Sequence, residues 1–535
     1  MVVSAHPLAS QVGIDILKRG GNAFDAAIAV QFALAVVYPR AGNIGGGGFM
    51  VYRTCKGKIG SLDFRERAPL LADSSLYLDK KGNVSKGLSR IGILSVAIPG
   101  TVDGMVKLHR KLASLPFHEL LQPSIRLASS GFNITANQAK YFNKFREKFL
   151  KFNSPDCPLL TQDKWEQGDL LVQTQLAKTL QLIQKKGREG FYSGSTAKYI
   201  IAQVKRNSGI ITSKDLAQYR SVWRTPVTTD YKEYRIITMP PPSSGGIALV
   251  QLLQGSDRVA IGRFQHNSAE AIHLMTELER RVFADRATYL GDPDYYNVPT
   301  PKLISSHYIN NRFKGINASK KTPSEQIRKG YSRQIEHFET THFSIVDQWT
   351  NAIAITTTLN GNFGSKIMVT GAGFFLNNEM DDFSIKPGVP NQFGLIGDLA
   401  NSIEPGKRML SSMTPTIVEK NDKLFLVLGS PGGPTIITSV YQILLNIVEY
   451  NMSLKEAVTA KRVHSQWQPD YIFLERGSAS SIALIKLLLR GHIPLTYPFF
   501  SLSLGKVEAI QIMLNKTFVG VADSMRGVDD LALGY

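Results

Sequence analysis

Cysteine is almost absent, with Cys55 and Cys157 the only two in 535 residues. Two thiols cannot build a disulfide framework or a cysteine-lined metal site. The sequence has no His-Glu-x-x-His motif, and its ten histidines are scattered without ligand spacing. Long apolar runs are missing too. The best candidate, residues 26–38, is interrupted by Gln31 and falls short of the roughly 18 residues that a spanning helix needs. No glycine loop ends in Gly-Lys-Ser/Thr, which argues against a nucleotide-phosphate loop. There is no internal repeat and no long low-complexity linker. These absences exclude the metal- and nucleotide-dependent classes that announce themselves by motif. What remains is 43% hydrophobic residues, ample material for a large core.

Negative charge is scarce over most of the chain. The net charge is +19, and the excess is uneven: Lys and Arg outnumber Asp and Glu by 47 to 27 over residues 1–339, against 15 to 16 over residues 340–535. The densest basic stretch, Lys140, Lys144, Arg146, Lys148 and Lys151, is interleaved with Tyr141, Phe142, Phe145 and Phe149. Helical spacing makes this a solvated basic face over an aromatic underside rather than a nucleic-acid surface. A basic surface also draws in anionic substrates, an effect that salt weakens.

What is present centres on Thr340. It opens Thr-Thr-His-Phe-Ser-Ile-Val-Asp, and cleavage just before it would create an N-terminal threonine. Such a residue carries its own general base, because a free α-amine with a pKa of roughly 7.7–8.0 is partly neutral near physiological pH. Residues 341–347 read as a strand. Residues 351–360 alternate, with Ile353, Ile355, Thr357 and Leu359 on one face and Ala354, Thr356, Thr358 and Asn360 on the other. A turn at 348–350 makes these two strands a hairpin that returns Thr358 and Asn360 towards Thr340.

A second signal follows at residues 424–428, a continuous apolar run. It leads into Gly-Ser-Pro-Gly-Gly-Pro-Thr at 429–435 and a helical pattern from 436 to 450. A strand feeding a glycine turn that opens a helix presents free N–H groups to whatever lies above the helix end. With the nucleotide ending missing, an oxyanion hole is the better fit.

Further segments complete a pattern. They are Gly-Gly-Asn-Ala-Phe-Asp-Ala-Ala at 20–27, Gly-Asn-Ile-Gly-Gly-Gly-Gly-Phe-Met at 42–50, Asp-Phe-Arg-Glu at 63–66 and Met-Pro-Pro-Pro-Ser-Ser-Gly-Gly at 239–246. Ala-Asp-Arg at 284–286, Gly-Asp-Pro-Asp at 291–294, Leu-Asn-Asn-Glu-Met-Asp-Asp-Phe at 376–383 and Leu-Ser-Ser-Met at 410–413 follow. Together with the Thr340 and Gly429 segments, the chain resembles the γ-glutamyltransferase (γ-glutamyl transpeptidase) family of N-terminal-nucleophile hydrolases over nearly its whole length.

The resemblance implies an α/β chain folded as a four-layer αββα sandwich. It also implies self-cleavage between Glu339 and Thr340, giving a large subunit 1–339 and a small subunit 340–535 that interleave as one unit. Thr340 is then the nucleophile, Thr358 holds its hydroxyl, and Gly432 and Gly433 are the oxyanion donors. Arg65, Ser411 and Ser412 match positions that hold the donor's α-carboxylate, and Asn360, Glu379 and Asp382 match those that hold its α-ammonium. A planar guanidinium suits the first task and carboxylates the second. The expected substrates are glutathione and other γ-glutamyl compounds, with water, amino acids or dipeptides as acceptors. No cofactor, metal or nucleic acid is expected. Alternatives within the superfamily are a cephalosporin acylase or a poly-γ-glutamate depolymerase, and outside it an uncleaved binding relative.

Some features stand apart from the family pattern. Phe393 occupies a lid position, within residues 387–395, where a tyrosine is common, and Pro434 follows the two glycines where serine is frequent. Asp285 and Arg286 read as an internal charge pair on a helix, residues 45–48 as a site of close backbone packing, and Pro240, Pro241 and Pro242 as a rigid entry to the next helix. Residues 487–505 carry no functional reading. Met1 begins inside the family's first segment, without a charged or apolar leader. Members of the family are usually exported, so the expected location is periplasmic or extracellular, and otherwise cytoplasmic.

Overall fold

The computed structural model describes residues 1–85, 87–327, 340–496 and 504–535. Two stacked sheets organise it. The first has seven strands in the order Leu531–Leu533, Val2–Ser4, Thr341–Val346, Ala352–Thr358, Gly47–Arg53, Ile59–Asp63, Val222–Arg224. The second has six, Phe518–Ala522, Glu508–Ile512, Lys423–Gly429, Thr416–Lys420, Tyr234–Thr238, Val227–Tyr231. Strands from both sides of residue 340 hydrogen-bond to one another in each sheet.

Three apolar cores turn these sheets into four layers. Val51, Val346, Ala352 and Ala354 of the first sheet meet Ile237, Ile417, Val427 and Ile510 of the second in a core between the sheets. The outer face of the first sheet, with Phe343, Ile345, Ile353 and Ile355, packs on helices that include Ala23–Val37. On the far side, Ile236, Val418, Leu426 and Leu428 pack on Gly245–Arg258, Ala269–Tyr289 and Thr435–Val448. The period-2 alternation read from residues 351–360 is therefore real, with each face addressing a different core. Adjacent strands are antiparallel throughout the centre, so hairpins do much of the work.

The apolar run at 26–38 lies mostly within the helix Ala23–Val37, buried on every side, with its N-terminal end fixed by an Asn22–Asp25 capping box. Gln31 inside it donates from Nε2 to the Asn43 carbonyl at 3.0 Å and to Thr357 Oγ1 at 3.4 Å. Among the described residues no helix is long and apolar enough to cross a membrane. On the helix Ala136–Phe152, Phe142, Phe145 and Phe149 are buried and Lys140, Lys144, Lys148 and Lys151 exposed, as the spacing predicts. The three prolines lead into the helix Gly245–Arg258, with Pro242 cis.

Candidate functional site

Thr341–Val346 and Ala352–Thr358 form the expected hairpin, registered from Ala352 opposite Val346 to Thr357 opposite Thr341. Thr340 and Thr358 are thus next in register, where the hairpin opens. The strand ends at Thr358 because Asn360 takes a left-handed φ of 73°, which asparagine tolerates better than most side chains. The Thr340 hydroxyl donates to Thr358 Oγ1 at 3.4 Å, and Thr358 Oγ1 also accepts the Asn360 N–H at 2.7 Å. Asn360 thereby fixes the hydroxyl that fixes Thr340. The neighbouring His342 is no base for it: burial pushes its pKa down to about 3, and its ring bonds to Thr356 and Ser344 hydroxyls between the sheets.

From the second sheet, the strand Lys423–Gly429 delivers a turn to the same place. Gly432 has φ 131° and Gly433 φ 54°, and a Cβ on Gly432 would stand 2.4 Å from Thr435 Oγ1. Only glycine is at ease there. Among the described residues neither glycine N–H donates a hydrogen bond, and both precede the helix Thr435–Val448, whose positive dipole end favours an anion. Pro434 caps that helix with φ −61°, a conformation the ring already prefers.

The sequence run 45–48 explains how the first sheet closes on the site. A Cβ on Gly46 would lie 2.0 Å from the Thr358 carbonyl, and one on Gly47 would lie 2.7 Å from Glu66 Oε2. Arg65 and Glu66 follow the strand Ile59–Asp63 and are fully buried.

A cavity of about 320 Å³ opens over these elements, lined by Thr340, Thr358, Asn360, Arg65, Glu379, Asp382, Ser411, Ser412 and Gly433, and also by Arg286, Phe393 and Leu395. The fold therefore brings every expected site residue either into this wall or, for Gly432, next to it. Glu339 lies outside the described residues.

The electrostatics of the wall are unusual. Arg65 is enclosed by acids: its Nη1 donates to Glu379 Oε2 at 2.7 Å and Glu66 Oε2 at 3.3 Å, and its Nη2 to Asp382 Oδ2 at 2.5 Å. Burial alone would depress its pKa, but Glu379, Glu66 and Asp382 outweigh that and raise it. Burial pushes the acids up, Glu66 to about 7 and Glu379 and Asp382 also above their ordinary values, with Arg65 opposing the rise. Glu66 Oε1 and Glu379 Oε1 are buried without hydrogen-bond partners among the described residues. An acidic wall with spare acceptors is what a bound ammonium group would satisfy.

One expectation needs correcting. Asp285 and Arg286 are not a charge pair. Asp285 pairs with Arg312 Nε at 2.9 Å and accepts from Tyr308 and Gln251, whereas Arg286 turns to the cavity and donates to Ser244 Oγ at 3.0 Å and Ser412 Oγ at 3.4 Å. Consecutive helical residues point in directions about 100° apart, so adjacency in sequence does not pair them. Asp381 is a second residue that sequence reasoning passed over. It accepts from the backbone of Gln392 at 2.8 Å and from Ser89 Oγ at 2.5 Å, while the Phe393 carbonyl accepts from Gln466 Nε2 at 3.0 Å. The segment around Phe393, where the family pattern places a lid, is thus held through its backbone.

Comparison with known proteins agrees with this geometry. A family profile described as Gamma-glutamyltranspeptidase matches residues 9–532. The chain is 41% identical to a glutathione hydrolase proenzyme of Escherichia coli (strain K12), over all of this chain and 92% of that protein. It is 46% identical to a glutathione hydrolase proenzyme of Pseudomonas aeruginosa, over 88% of this chain and 83% of that one. Among solved structures, a cephalosporin acylase from Bacillus halodurans superposes with a TM-score of 0.84 at 25% identity, covering all of this chain and 96% of that one.

Proposed function

The chain belongs to the gamma-glutamyltranspeptidase family, and from that premise we propose how its own residues carry out the family's chemistry. The enzyme is made as a self-processing proenzyme, cleaves γ-glutamyl amides, and passes the acyl group to water or to an amine. The acylase alternative, though it shares the fold, is not favoured: an acylase proenzyme is 33% identical, against 41% and 46% for two glutathione hydrolase proenzymes.

In maturation, Thr340 Oγ adds to the Glu339 carbonyl carbon, the peptide nitrogen leaves as the new α-amine, and water hydrolyses the resulting ester. The products are segments 1–339 and 340–535, which stay together because strands of both pair within each sheet. In turnover, the α-amine takes the Thr340 hydroxyl proton as Oγ attacks the γ-carbonyl carbon of the donor. The oxyanion forms against the Gly432 and Gly433 N–H groups, a contribution of about 2.7–4 kcal/mol per donor in comparable sites. The proton then passes to the departing amine, leaving a γ-glutamyl ester on Thr340. Water or an acceptor amine attacks that ester and restores the hydroxyl.

Asn360, Glu379 and Asp382 receive the donor's α-ammonium, and Arg65, Ser411 and Ser412 lie on the side that receives its α-carboxylate. Glutathione is the proposed donor, amino acids or dipeptides the proposed acceptors, and the periplasm or exterior the proposed location. The observation that carries this reading is the convergence of Thr340, Thr358 and Gly433 on one cavity with the Arg65 acid cluster.

The test is a denaturing gel and intact mass of wild type beside Thr340→Ala. Wild type should give two fragments, the smaller starting at Thr340, and the variant one band without turnover, a loss of roughly 10⁴-fold or more. A wild type that stays intact on prolonged incubation, or a fragment starting elsewhere, overturns the assignment.

A further inference from the structure

The helix Ser481–Leu489 is apolar on two faces, and the fold covers only one of them. Ala483 and Leu487 are buried in the core on the far side of the second sheet, with Leu484 at its margin. The other face carries Ile482, Ile485, Leu488 and Leu489, which are between 56% and 82% exposed. Their three- and four-residue spacing places them in one stripe along the helix. Ile493 is exposed just beyond the helix, and so is Tyr471, whose neighbour Ile472 donates its N–H to the Ile493 carbonyl at 3.0 Å. Single exposed aliphatics are ordinary on a protein surface, but a contiguous stripe calls for a partner. The helix is pinned at both ends: Ser480 Oγ accepts the Ala483 N–H at 3.2 Å, and the Arg490 carbonyl accepts the Lys321 N–H at 2.8 Å. The stripe is therefore held in place rather than left at a fraying end.

The rim of the stripe is basic. Between Glu475 and Glu508 the sequence has no acidic residue, but it has Arg476, Lys486, Arg490 and Lys506. Arg476 is exposed ahead of the helix, Lys486 on it, and Lys320 past its C-terminal end, next to the Lys321 that meets the Arg490 carbonyl. The acids that come close are already engaged, Glu270 by Arg490 at 2.9 Å and Lys486 at 3.7 Å, and Asp470 by Lys321 at 2.7 Å. Aliphatic side chains rimmed by cations match an anionic bilayer, with acyl chains for the stripe and phosphates for the rim. A second copy of the chain fits less well, because it brings the same cations to both sides of the contact. A strip about 14 Å long and about 10 Å wide also falls far short of the roughly 800 Å² a side that a stable complex buries. We propose that this helix docks the enzyme on an anionic lipid surface, with Ile482, Ile485, Leu488 and Leu489 entering the acyl boundary and Arg476, Lys486 and Lys320 meeting headgroup phosphates. The net charge of +19 adds attraction at longer range. No residue of the helix lines the cavity over Thr340, so docking and turnover are separable, and either reading can fail without the other.

The experiment is co-sedimentation of purified, matured enzyme with vesicles of phosphatidylcholine, alone or with about 30 mol% phosphatidylglycerol, at about 0.15 M salt. Wild type should partition onto the anionic vesicles about tenfold more strongly than onto the neutral ones. The triple variant Ile485→Ser, Leu488→Ser, Leu489→Ser removes no charge. It should lose about tenfold or more of that partitioning while γ-glutamyl anilide turnover stays unchanged. Undiminished binding by the triple variant would mean adsorption by net charge alone and overturns the inference. A wild type that ignores both kinds of vesicle, or binds them equally, also overturns it. Sedimentation equilibrium without lipid completes the test: a dimer that the triple variant abolishes would make the stripe an interface between copies, again the contrary result. Should the triple variant fail to mature, Leu489→Trp at the most exposed position of the stripe decides. Lipids brominated on their acyl chains should quench its emission beyond that of wild type, and an absence of extra quenching overturns the inference.

Discussion

Asp63 and Arg65 stand two residues apart at the end of one strand, and each anchors a buried cluster of carboxylates and guanidiniums. Around Asp63, Arg224 donates from Nε to Asp63 at 2.8 Å and grips Asp294 with both terminal nitrogens, at 3.1 and 2.8 Å. Arg408 completes the set at 3.3 Å from Asp63, and the Asp294 side chain remains 44% exposed. There the shifts of Asp294 and Arg224 favour charge: the bond from Arg224 holds Asp294 below its ordinary range, and Arg224 is raised by Asp294 and Asp63 against the pull of burial, while only the more deeply buried Asp292 is pushed up. Around Arg65 the shifts of the acids penalise charge, and carboxylate oxygens of Glu66 and Glu379 lack partners among the described residues. Residue types are alike in both. The difference is that one cluster closes on itself with access to water, whereas the other is dry, over-acidic and open to a cavity beside Thr340. Incomplete satisfaction, rather than the presence of buried charge, marks the site.

Removing the central cation should break this contrast most severely. Arg65→Met leaves Glu379, Glu66 and Asp382 without their shared partner, and breaking a buried pair costs about 3–5 kcal/mol. The expected outcome is a lowered thermal midpoint in a differential scan and loss of γ-glutamyl anilide turnover. A midpoint within a degree of wild type would mean that the cluster relaxes by protonation instead of depending on Arg65.

Much of the site was legible before any coordinates, though unevenly. The Thr340–Thr358 apposition follows from alternation and a short turn, and the proposed oxyanion turn from an apolar run ending in glycine before a helix, because both are local patterns. The partners of Arg65 lie 314 and 317 residues away in Glu379 and Asp382, and only the sheet topology brings them together. Resemblance to a family named those positions, but nothing in the sequence shows that they saturate Arg65. Arg286 escaped for a different reason. Its helix, Ala269–Tyr289, is buried over nearly its whole circumference and carries buried Glu277, Glu279, Arg280 and Arg281, so no polar face distinguishes Arg286, which lines the cavity. A buried helix this rich in charge was itself a signal that those charges meet partners or ligands.

Titration sharpens the contrast with a smaller effect. Glu66 is raised from 4.5 to about 7 by burial, against the pull of Arg65. A carboxyl raised on folding lends stability that is complete below its unfolded pKa and is lost as pH rises through its folded pKa. Wild type should therefore lose thermal midpoint between pH 4.5 and 7. Glu66→Gln, which keeps the shape but cannot ionise, should show a shallower fall, with the remainder due to the other buried acids raised in the same direction, Glu379 and Asp382 beside it and Glu279, Asp285, Asp292, Asp381 and Glu508 elsewhere. An identical slope in the variant would place the titration elsewhere.

The smallest effect should come from the cluster that closes on itself. Asp294→Asn removes a carboxylate that is 44% exposed and grips Arg224 with both oxygens. Water can take over at that edge, and Asp63 stays on Arg224 Nε, so the loss should be about 1 kcal/mol or less, as for exposed ion pairs. The kcat for γ-glutamyl anilide should match wild type, since no member of this cluster lines the cavity. The two clusters are joined through the backbone, however, because Asp63 Oδ1 accepts the Arg65 N–H at 2.9 Å. If Asp294→Asn lowered kcat/KM as far as a change at Glu66 does, the two clusters would have to be a single electrostatic unit, with the Asp63 arm positioning Arg65 for the cavity.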